Sequence, residues 1–337
     1  MRLAFERALI PEEEEERERI LTAAAPYVGP TTRTEPGGFF TFLHRPAAPM
    51  AVSTRARRGL PGGVATSRSF RMCYTPFDPA NHEPCDENET VHVEHWTHDR
   101  PARTTVIALH GFTMGRPTID AYALRAARWF ALGLDVAMVT LPFHGPRAAA
   151  TARYSGEQFG TWHVGRLNEA VRRAVHDVDL VRRWLVAENG TQVGLLGLSL
   201  GGYITSLLAG LRDDWAFAIP IAAPVCLSAL PTRLAGLARG AAAPAAVAAL
   251  RAAYRVHSPL AYPLRIPRRR VLVVAGRGDW IVPPEHPLAL WRHWGRPTMH
   301  WYSGGHLAPF GRASAADAVE AHLARLDDDV LARVSGG

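Results

Sequence analysis

Short apolar runs alternate with amphipathic stretches over most of the chain from residue 103 onward. The apolar runs are rich in β-branched residues, which is typical of strands buried on both faces of a sheet. Between residues 167 and 185, apolar side chains recur every three or four positions and predict an amphipathic helix. This alternation favours a parallel sheet with helices on both faces. The predicted strands are 104–109, 135–141, 193–198, 217–222, 271–275 and 299–302, and further helices are expected over 122–132, 199–211 and 319–330.

The first hundred residues carry a weaker pattern. Residues 12–16 are glutamates after Pro11, a composition that suits the first turn of a helix. Residues 29–63 are rich in proline, glycine, threonine and arginine, so we expect mostly irregular structure there. Two extended pieces follow at 69–74 and 90–96, and the imperfect alternation of the second is that of an edge strand.

Composition narrows the class of protein. The chain has 337 residues, 47% of them hydrophobic and 20% charged, which is enough apolar material for a sizeable core. All 38 basic residues are arginine and the net charge is +7, but the arginines do not cluster on one element, so no nucleic-acid partner is expected. Cys73, Cys85 and Cys226 fit neither a disulfide framework nor a zinc site. No signal peptide or membrane span is predicted, which indicates a soluble, cytoplasmic protein without stable membrane insertion.

A serine motif follows the third strand of the predicted sheet. In a parallel sheet, functional side chains gather in the loops after the carboxyl ends of the strands. Residues 197–202 read GLSLGG, between a predicted strand and a predicted helix. This G-x-S-x-G pattern indicates a nucleophile elbow, a turn so tight that the positions two before and two after the serine must be glycine. We therefore predict that Ser199 is a nucleophile.

A base and an orienting carboxylate are the next requirement, because a serine hydroxyl is a weak nucleophile until a base takes its proton. Asp279 and His306 follow the last two predicted strands, in the chain order Ser–Asp–His of a nucleophile-elbow hydrolase. The predicted catalytic triad is Ser199, Asp279 and His306. The weaker alternatives are Glu285, Asp213 and Asp214 for the acid, and His144 and His286 for the base.

Acyl transfer also needs two preorganised N–H donors for the developing oxyanion. The backbone N–H of Leu200, directly after the nucleophile, is one candidate. The loop HGFTMG at 110–115 follows the first central strand and offers the N–H of Phe112 as the second. His110 is expected to hold this loop by hydrogen bonds rather than to act as a base.

From about residue 88 to the C-terminus, the chain resembles the α/β-hydrolase superfamily, in particular its serine esterases and lipases. The matching segments are HGFTMG, LPFHGPR, GLSLGG, GRGDWIVPPEH and SGGH. The resemblance implies an α/β fold: a doubly wound, mostly parallel sheet with a small helical cap insertion and an N-terminal extension. It implies no cofactor and no metal. LPFHGPR departs from the D-x-P-G-H-G segment of many members at Leu141 and Phe143, and we interpret it as structural.

The resemblance also suggests how the chain is organised. The N-terminal extension covers residues 1–87 and has no counterpart in the superfamily. The hydrolase core covers 88–225 and 269–337, and the cap covers 226–268, with short alanine-rich helices at 235–239 and 245–254. Whether the cap contacts the substrate stays open at this point.

The predicted substrate pocket is mainly apolar. Its expected members are His110, Gly111, Met114, Phe143, Trp280 and Leu307. Together with Phe112 and Leu200 they favour an apolar acyl or alcohol group, although Arg116 and Arg147 lie near strand ends and offer a site for a carboxylate.

The resemblance implies a serine hydrolase of the carboxylesterase type, which cleaves a carboxylic ester or thioester through an acyl-enzyme on Ser199, and the absence of a predicted signal peptide favours an intracellular one. Its partner is then a small-molecule ester or acyl substrate, and a homo-oligomer is compatible with the sequence. A peptidase or an acyltransferase with the same triad remains an alternative. So does a catalytically silent hydrolase fold that serves as a binding protein.

Overall fold

A computed structural model of the chain describes residues 18, 22–28, 38–44, 51–71, 74–79, 82, 84–100, 102–160, 163–230, 243–306 and 312–326. The strands are β1 (Val52–Leu60), β2 (Gly63–Arg71), β3 (Thr90–His98), β4 (Thr104–Leu109), β5 (Asp135–Val139), β6 (Gln192–Leu198), β7 (Ala218–Ile221), β8 (Leu272–Gly276) and β9 (Thr298–Tyr302). Within the described residues they form one nine-stranded sheet in the order β1-β2-β3-β5-β4-β6-β7-β8-β9. The pairs β1–β2, β2–β3 and β3–β5 are antiparallel, and the remaining pairs are parallel.

The described α-helices are α1 (Pro117–Ala123), α2 (Ala126–Ala131), α3 (Val164–Asn189), α4 (Leu200–Leu211), α5 (Ala243–Ala253), α6 (Glu285–His293) and α7 (Arg312–Leu323). The single helix predicted over 122–132 is wrong. Arg125 has a left-handed backbone with φ 57°, which ends α1 and starts α2 in a new direction. The apolar period continues across this break, so periodicity alone does not reveal it.

The parallel strands are buried on both faces, as their unbroken apolar runs predict. All six residues of β4 are buried, and they alternate between two cores. Ile107 packs in a core with α3 and α4, whereas Val106 packs in a second core with α2 and α7. Helices therefore cover both faces of the sheet, and the carboxyl ends of the strands meet at one edge.

The N-terminal part of the sheet corrects two expectations. Residues 29–63 were expected to be mostly irregular, but β1 occupies 52–60. Its sequence VSTRARRGL is almost wholly exposed and is held by backbone pairing with β2, so it carries no hydrophobic signal. Residues 90–96 were expected to form an edge strand, but β3 lies between β2 and β5. The edge is β1.

Several expected elements lie outside the described residues: the helix start at 12–16, the cap helix at 235–239, and the part of the closing helix beyond residue 326. The other expected cap helix corresponds to α5, followed by a 3-10 turn at Tyr254–His257. The division of the chain at residues 87, 225 and 268 stays a prediction. Among the described residues, no helix has both the length and the hydropathy needed to cross a membrane.

Candidate active site

Ser199 stands at a strained turn between β6 and α4. Its backbone has φ 54° and ψ −110°, a conformation that non-glycine residues rarely adopt. A Cβ atom at Gly197 would lie 2.1 Å from the carbonyl oxygen of Gly201, and a Cβ atom at Gly201 would lie 2.1 Å from the carbonyl oxygen of Leu109. The two glycines of the motif are therefore required by backbone contacts. The turn lifts the Ser199 side chain above the carboxyl ends of the central strands.

His306 and Asp279 complete a chain of hydrogen bonds to this serine. His306 Nε2 lies 2.8 Å from Ser199 Oγ, and His306 Nδ1 lies 2.7 Å from Asp279 Oδ2. The buried carboxylate places the ring proton on Nδ1, so Nε2 accepts the hydrogen bond from the serine hydroxyl. Residues from three separate loops thus meet at the carboxyl edge of the sheet, in the predicted order.

Asp279 is fixed on both of its oxygens. Oδ1 accepts hydrogen bonds from the backbone N–H groups of Ile281, at 3.0 Å, and Val282, at 2.8 Å. Oδ2 is left for His306. These two amide donors, two and three residues further along the chain, form the usual aspartate turn and set the direction of the carboxylate.

The loop at 110–115 lies directly beside the nucleophile. A Cβ atom at Gly111 would stand 3.6 Å from Ser199 Cβ. Leu200 is the first residue of α4, a position whose N–H has no acceptor inside the helix. Both predicted oxyanion donors, Leu200 and Phe112, thus belong to segments that adjoin Ser199, and their role stays a prediction.

His110 holds this loop from below. Its Nδ1 donates to the carbonyl oxygen of Gly111 at 2.8 Å, and its Nε2 accepts from the backbone N–H of Leu141 at 3.0 Å. Burial lowers the pKa of His110 to about 4, so the ring is neutral near pH 7. These contacts are those of a loop-holding residue, and they leave neither ring nitrogen for a substrate.

Two further polar side chains that the sequence did not single out also fix the loop. Ser155 accepts a hydrogen bond from Gly145 N–H at 2.8 Å and donates one to the carbonyl oxygen of Met114. Asp120 accepts from Gly115 N–H at 3.0 Å. Both are ordinary residue types, and neither carries a local signal: Ser155 lies 41 positions from Met114, and Asp120 lies five positions from Gly115.

The segment LPFHGPR is structural, as its departure from the superfamily pattern suggests. Phe143 has a positive φ of 61° and its N–H donates to Asn88 Oδ1 at 2.9 Å. Arg147 is fully buried, 2.7 Å from Asp177, and also donates to the carbonyl oxygens of Thr140 and Asn88. The expectation that Arg147 offers a site for a substrate carboxylate is wrong, because a protein carboxylate already occupies its guanidinium.

The remaining predicted pocket residues differ in exposure and in partners. Met114 Sδ accepts from Gly111 N–H at 3.3 Å, Trp280 is 52% exposed, and Arg116 is exposed at the start of α1. Leu307 lies outside the described residues. The alternative bases are placed elsewhere: His144 is buried with Nδ1 on the carbonyl oxygen of Pro142, and His286 Nδ1 accepts from Val225 N–H.

The described part of the chain holds no group of three or more histidine, cysteine or carboxylate side chains arranged to hold a metal ion. The described site is a serine hydroxyl hydrogen-bonded to a histidine that a buried carboxylate orients. Such an arrangement performs nucleophilic acyl transfer.

Comparison with known proteins agrees with this geometry. The model of the family described as serine hydrolase (FSH1) matches residues 101–317, which include the serine, the aspartate and the histidine. The chain belongs to this family. The family match begins after β3, so β1, β2 and β3 lie outside it in this serine hydrolase family member.

The FSH1-type chain is also similar to two curated sequences. The uncharacterized proteins MT2702 and Rv2627c, from two strains of Mycobacterium tuberculosis, are each 35% identical to it over 230 residues. That region is 67% of this chain and 55% of each relative, so the chain spans about half the length of the curated relatives it matches.

Solved structures show the fold. An acetyl xylan esterase from Paenibacillus sp. R4 is 14% identical with a TM-score of 0.57, and covers 94% of this chain and 98% of its own. Acetyl xylan esterase 1 from Thermoanaerobacterium sp. is 12% identical with a TM-score of 0.56, and the match covers 94% of this chain and 96% of the esterase chain. The predicted α/β-hydrolase fold, with its mostly parallel sheet, is confirmed.

Proposed function

We propose that this protein hydrolyses carboxylic esters through an acyl-enzyme on Ser199. The observation that carries the proposal is the continuous hydrogen-bond chain from Asp279 through His306 to Ser199 Oγ. Each link supplies what the next one needs: the carboxylate fixes the tautomer, and the neutral imidazole takes the serine proton.

The reaction has two steps. In the first, Ser199 Oγ attacks the ester carbonyl carbon while His306 Nε2 takes its proton. The N–H groups of Leu200 and Phe112 then donate to the oxyanion, and His306 returns the proton to the departing alcohol. In the second, water attacks the acyl-enzyme with the same proton transfers and releases the carboxylic acid.

The expected test is the hydrolysis of p-nitrophenyl acetate and p-nitrophenyl butyrate. Ser199→Ala should lower kcat by roughly 10⁶, as removal of a triad nucleophile does. Ser206→Ala is the matched control. Ser206 is on helix α4, which begins directly after Ser199, but its hydroxyl donates a hydrogen bond to the carbonyl oxygen of Gly202 at 2.8 Å and takes no part in the triad. Turnover by a folded Ser199→Ala protein at the wild-type rate would overturn the proposal.

Running p-nitroanilides and an acceptor alcohol beside the esters separates the related reactions. Faster release from the anilide points to a peptidase, and transfer to the alcohol points to an acyltransferase. The esterase proposal predicts that water is the acceptor and that the ester is the better substrate.

A further inference from the structure

A cavity of about 420 Å³ is lined by residues of α4, of the segment after β7, of α5 and the turns after it, and of α6. Its size is within the range of about 300–1,000 Å³ of small-molecule pockets. Much of its wall is apolar, formed by Tyr203, Val225, Leu227, Leu260 and Ala289.

Three chain segments link this cavity to the reacting groups. Tyr203 is one helical turn after Ser199, and its backbone N–H donates a hydrogen bond to the Ser199 carbonyl oxygen at 2.9 Å. Ser199 N–H in turn donates to the last residue of β7, from which the chain runs to Val225. The Asp279 loop leads to His286, whose Nδ1 accepts from Val225 N–H at 3.1 Å. Three segments of the cavity wall therefore continue directly from the nucleophile turn, from β7 and from the Asp279 loop.

Two arginines line the same cavity from the side of α5. Arg251 and Arg255 are four residues apart on α5 and the turn that continues it, so their side chains leave one face. Both are exposed, and within the described residues no hydrogen bond or ion pair reaches either guanidinium. Glu285 adds a single carboxylate to the described wall. The cavity thus combines an apolar interior with a net positive charge.

We propose that the cavity binds the acyl part of the substrate, and that this acyl chain ends in a carboxylate held by Arg251 and Arg255. The inference rests on the proposed function and names its substrate class: monoesters of dicarboxylic acids. An apolar chain contacts the walls, and the planar guanidinium groups bind the distal carboxylate through paired hydrogen bonds. Neutral esters of the same length lack that contact.

The kinetic test compares two p-nitrophenyl esters of equal chain length. One is the monoester of suberic acid, which carries a free carboxylate, and the other is its methyl-capped, neutral form. The wild-type protein should favour the anionic ester in kcat/KM by about tenfold or more, because hydrogen bonds to charged groups are strong. The double variant Arg251→Gln/Arg255→Gln should lose this preference.

The matched control is Arg265→Gln/Arg269→Gln. These two arginines are also exposed, but they precede the amino end of β8, at the opposite edge of the sheet. The control should keep the preference for the anionic ester. A preference that persists in Arg251→Gln/Arg255→Gln, or that disappears equally in the control, would overturn the assignment of the two arginines.

A binding measurement separates this inference from the proposed function. Calorimetric titration of suberate into Ser199→Ala protein needs no turnover. Suberate should bind, and Arg251→Gln/Arg255→Gln in the same background should raise its Kd by about tenfold or more. No binding at the highest soluble concentration, or an unchanged Kd, would refute the pocket even if esters are hydrolysed. Binding with no Ser199-dependent hydrolysis would refute the esterase while the pocket stands.

Discussion

Replacing Asp279 by asparagine changes the tautomer of His306 with almost no change in shape. Asp279 Oδ1 is held by the N–H groups of Ile281 and Val282, so the carbonyl oxygen of the new amide takes that place. The amide NH₂ then faces His306 Nδ1, where Asp279 Oδ2 lies 2.7 Å away in the wild type. Because NH₂ donates, Nδ1 must accept, and the ring proton moves to Nε2.

The magnitude follows from that proton. A protonated Nε2 donates to Ser199 Oγ and cannot take its proton, so kcat should fall by up to about 10⁴. At 1.36 kcal/mol for each factor of ten, this is about 5 kcal/mol of barrier. KM should change little, since Asp279 is buried behind the histidine. The assay is steady-state hydrolysis of p-nitrophenyl butyrate, with thermal unfolding to verify the fold.

The chain offers a matched control for this substitution. A second aspartate–histidine pair lies at the amino end of β5, where the buried Asp135 Oδ1 is 2.8 Å from Nδ1 of the half-buried His98. Asp135→Asn should leave kcat close to the wild-type value. A kcat for Asp279→Asn within about tenfold of the wild type, or an equal loss in Asp135→Asn, would refute the reasoning.

Three more substitutions test the fold around the site. Gly201→Ala places a Cβ 2.1 Å from a β4 carbonyl oxygen and should abolish activity and destabilise the protein by about 1–3 kcal/mol, whereas Gly59→Ala, with nothing within 4 Å, should change neither, as urea unfolding can verify. His95 is buried with no hydrogen-bond partner for either ring nitrogen in the described residues, and burial lowers its pKa to about 3, so its contribution to stability is lost as the pH falls through 6.5. His95→Phe should therefore stabilise the protein by about 2 kcal/mol more at pH 5 than at pH 7.5, and an equal effect at both pH values would contradict this. Burial raises the pKa of Asp120 from 3.8 to about 6, so stability present below pH 3.8 is lost as the pH rises through 6, by about 3 kcal/mol. Asp120→Asn should remove that decrease between pH 4 and pH 8, and a decrease of wild-type size in this variant would refute the assignment.

Ser199, Asp279 and His306 are accessible to sequence reasoning because each follows an apolar strand at the same edge of a parallel sheet. Once the strands are recognised from their buried, β-branched runs, the topology brings their carboxyl ends together. The glycines at 197 and 201 add a steric requirement on either side of the serine. Pattern and geometry therefore point to the same three side chains.

β1 and the break at Arg125 escape the same reasoning. β1 is exposed on both faces and is held by backbone hydrogen bonds to β2. Its side chains therefore show no alternation of apolar and polar residues from which a strand could be predicted. Arg125 adopts a left-handed conformation without glycine, inside a continuous apolar pattern. Tertiary contacts decide both features.

Ser155 and Asp120, which hold the loop at 110–115, could not be predicted from the sequence for a different reason. Ser155 reaches the carbonyl oxygen of Met114 from 41 positions away along the chain. A single serine in a polar loop, or a single aspartate in the first turn of a helix, gives no indication of its partner. Only the folded arrangement shows that Ser155 and Asp120 hold the loop beside the nucleophile.

Labelling with a fluorophosphonate probe tests the central claim most directly, since the probe phosphonylates an activated serine whatever the natural substrate. The account predicts one adduct per chain, located on Ser199 by peptide mass spectrometry, with no adduct in Ser199→Ala and full labelling in Ser206→Ala. An unlabelled wild-type protein, or an adduct on a different serine, would contradict it.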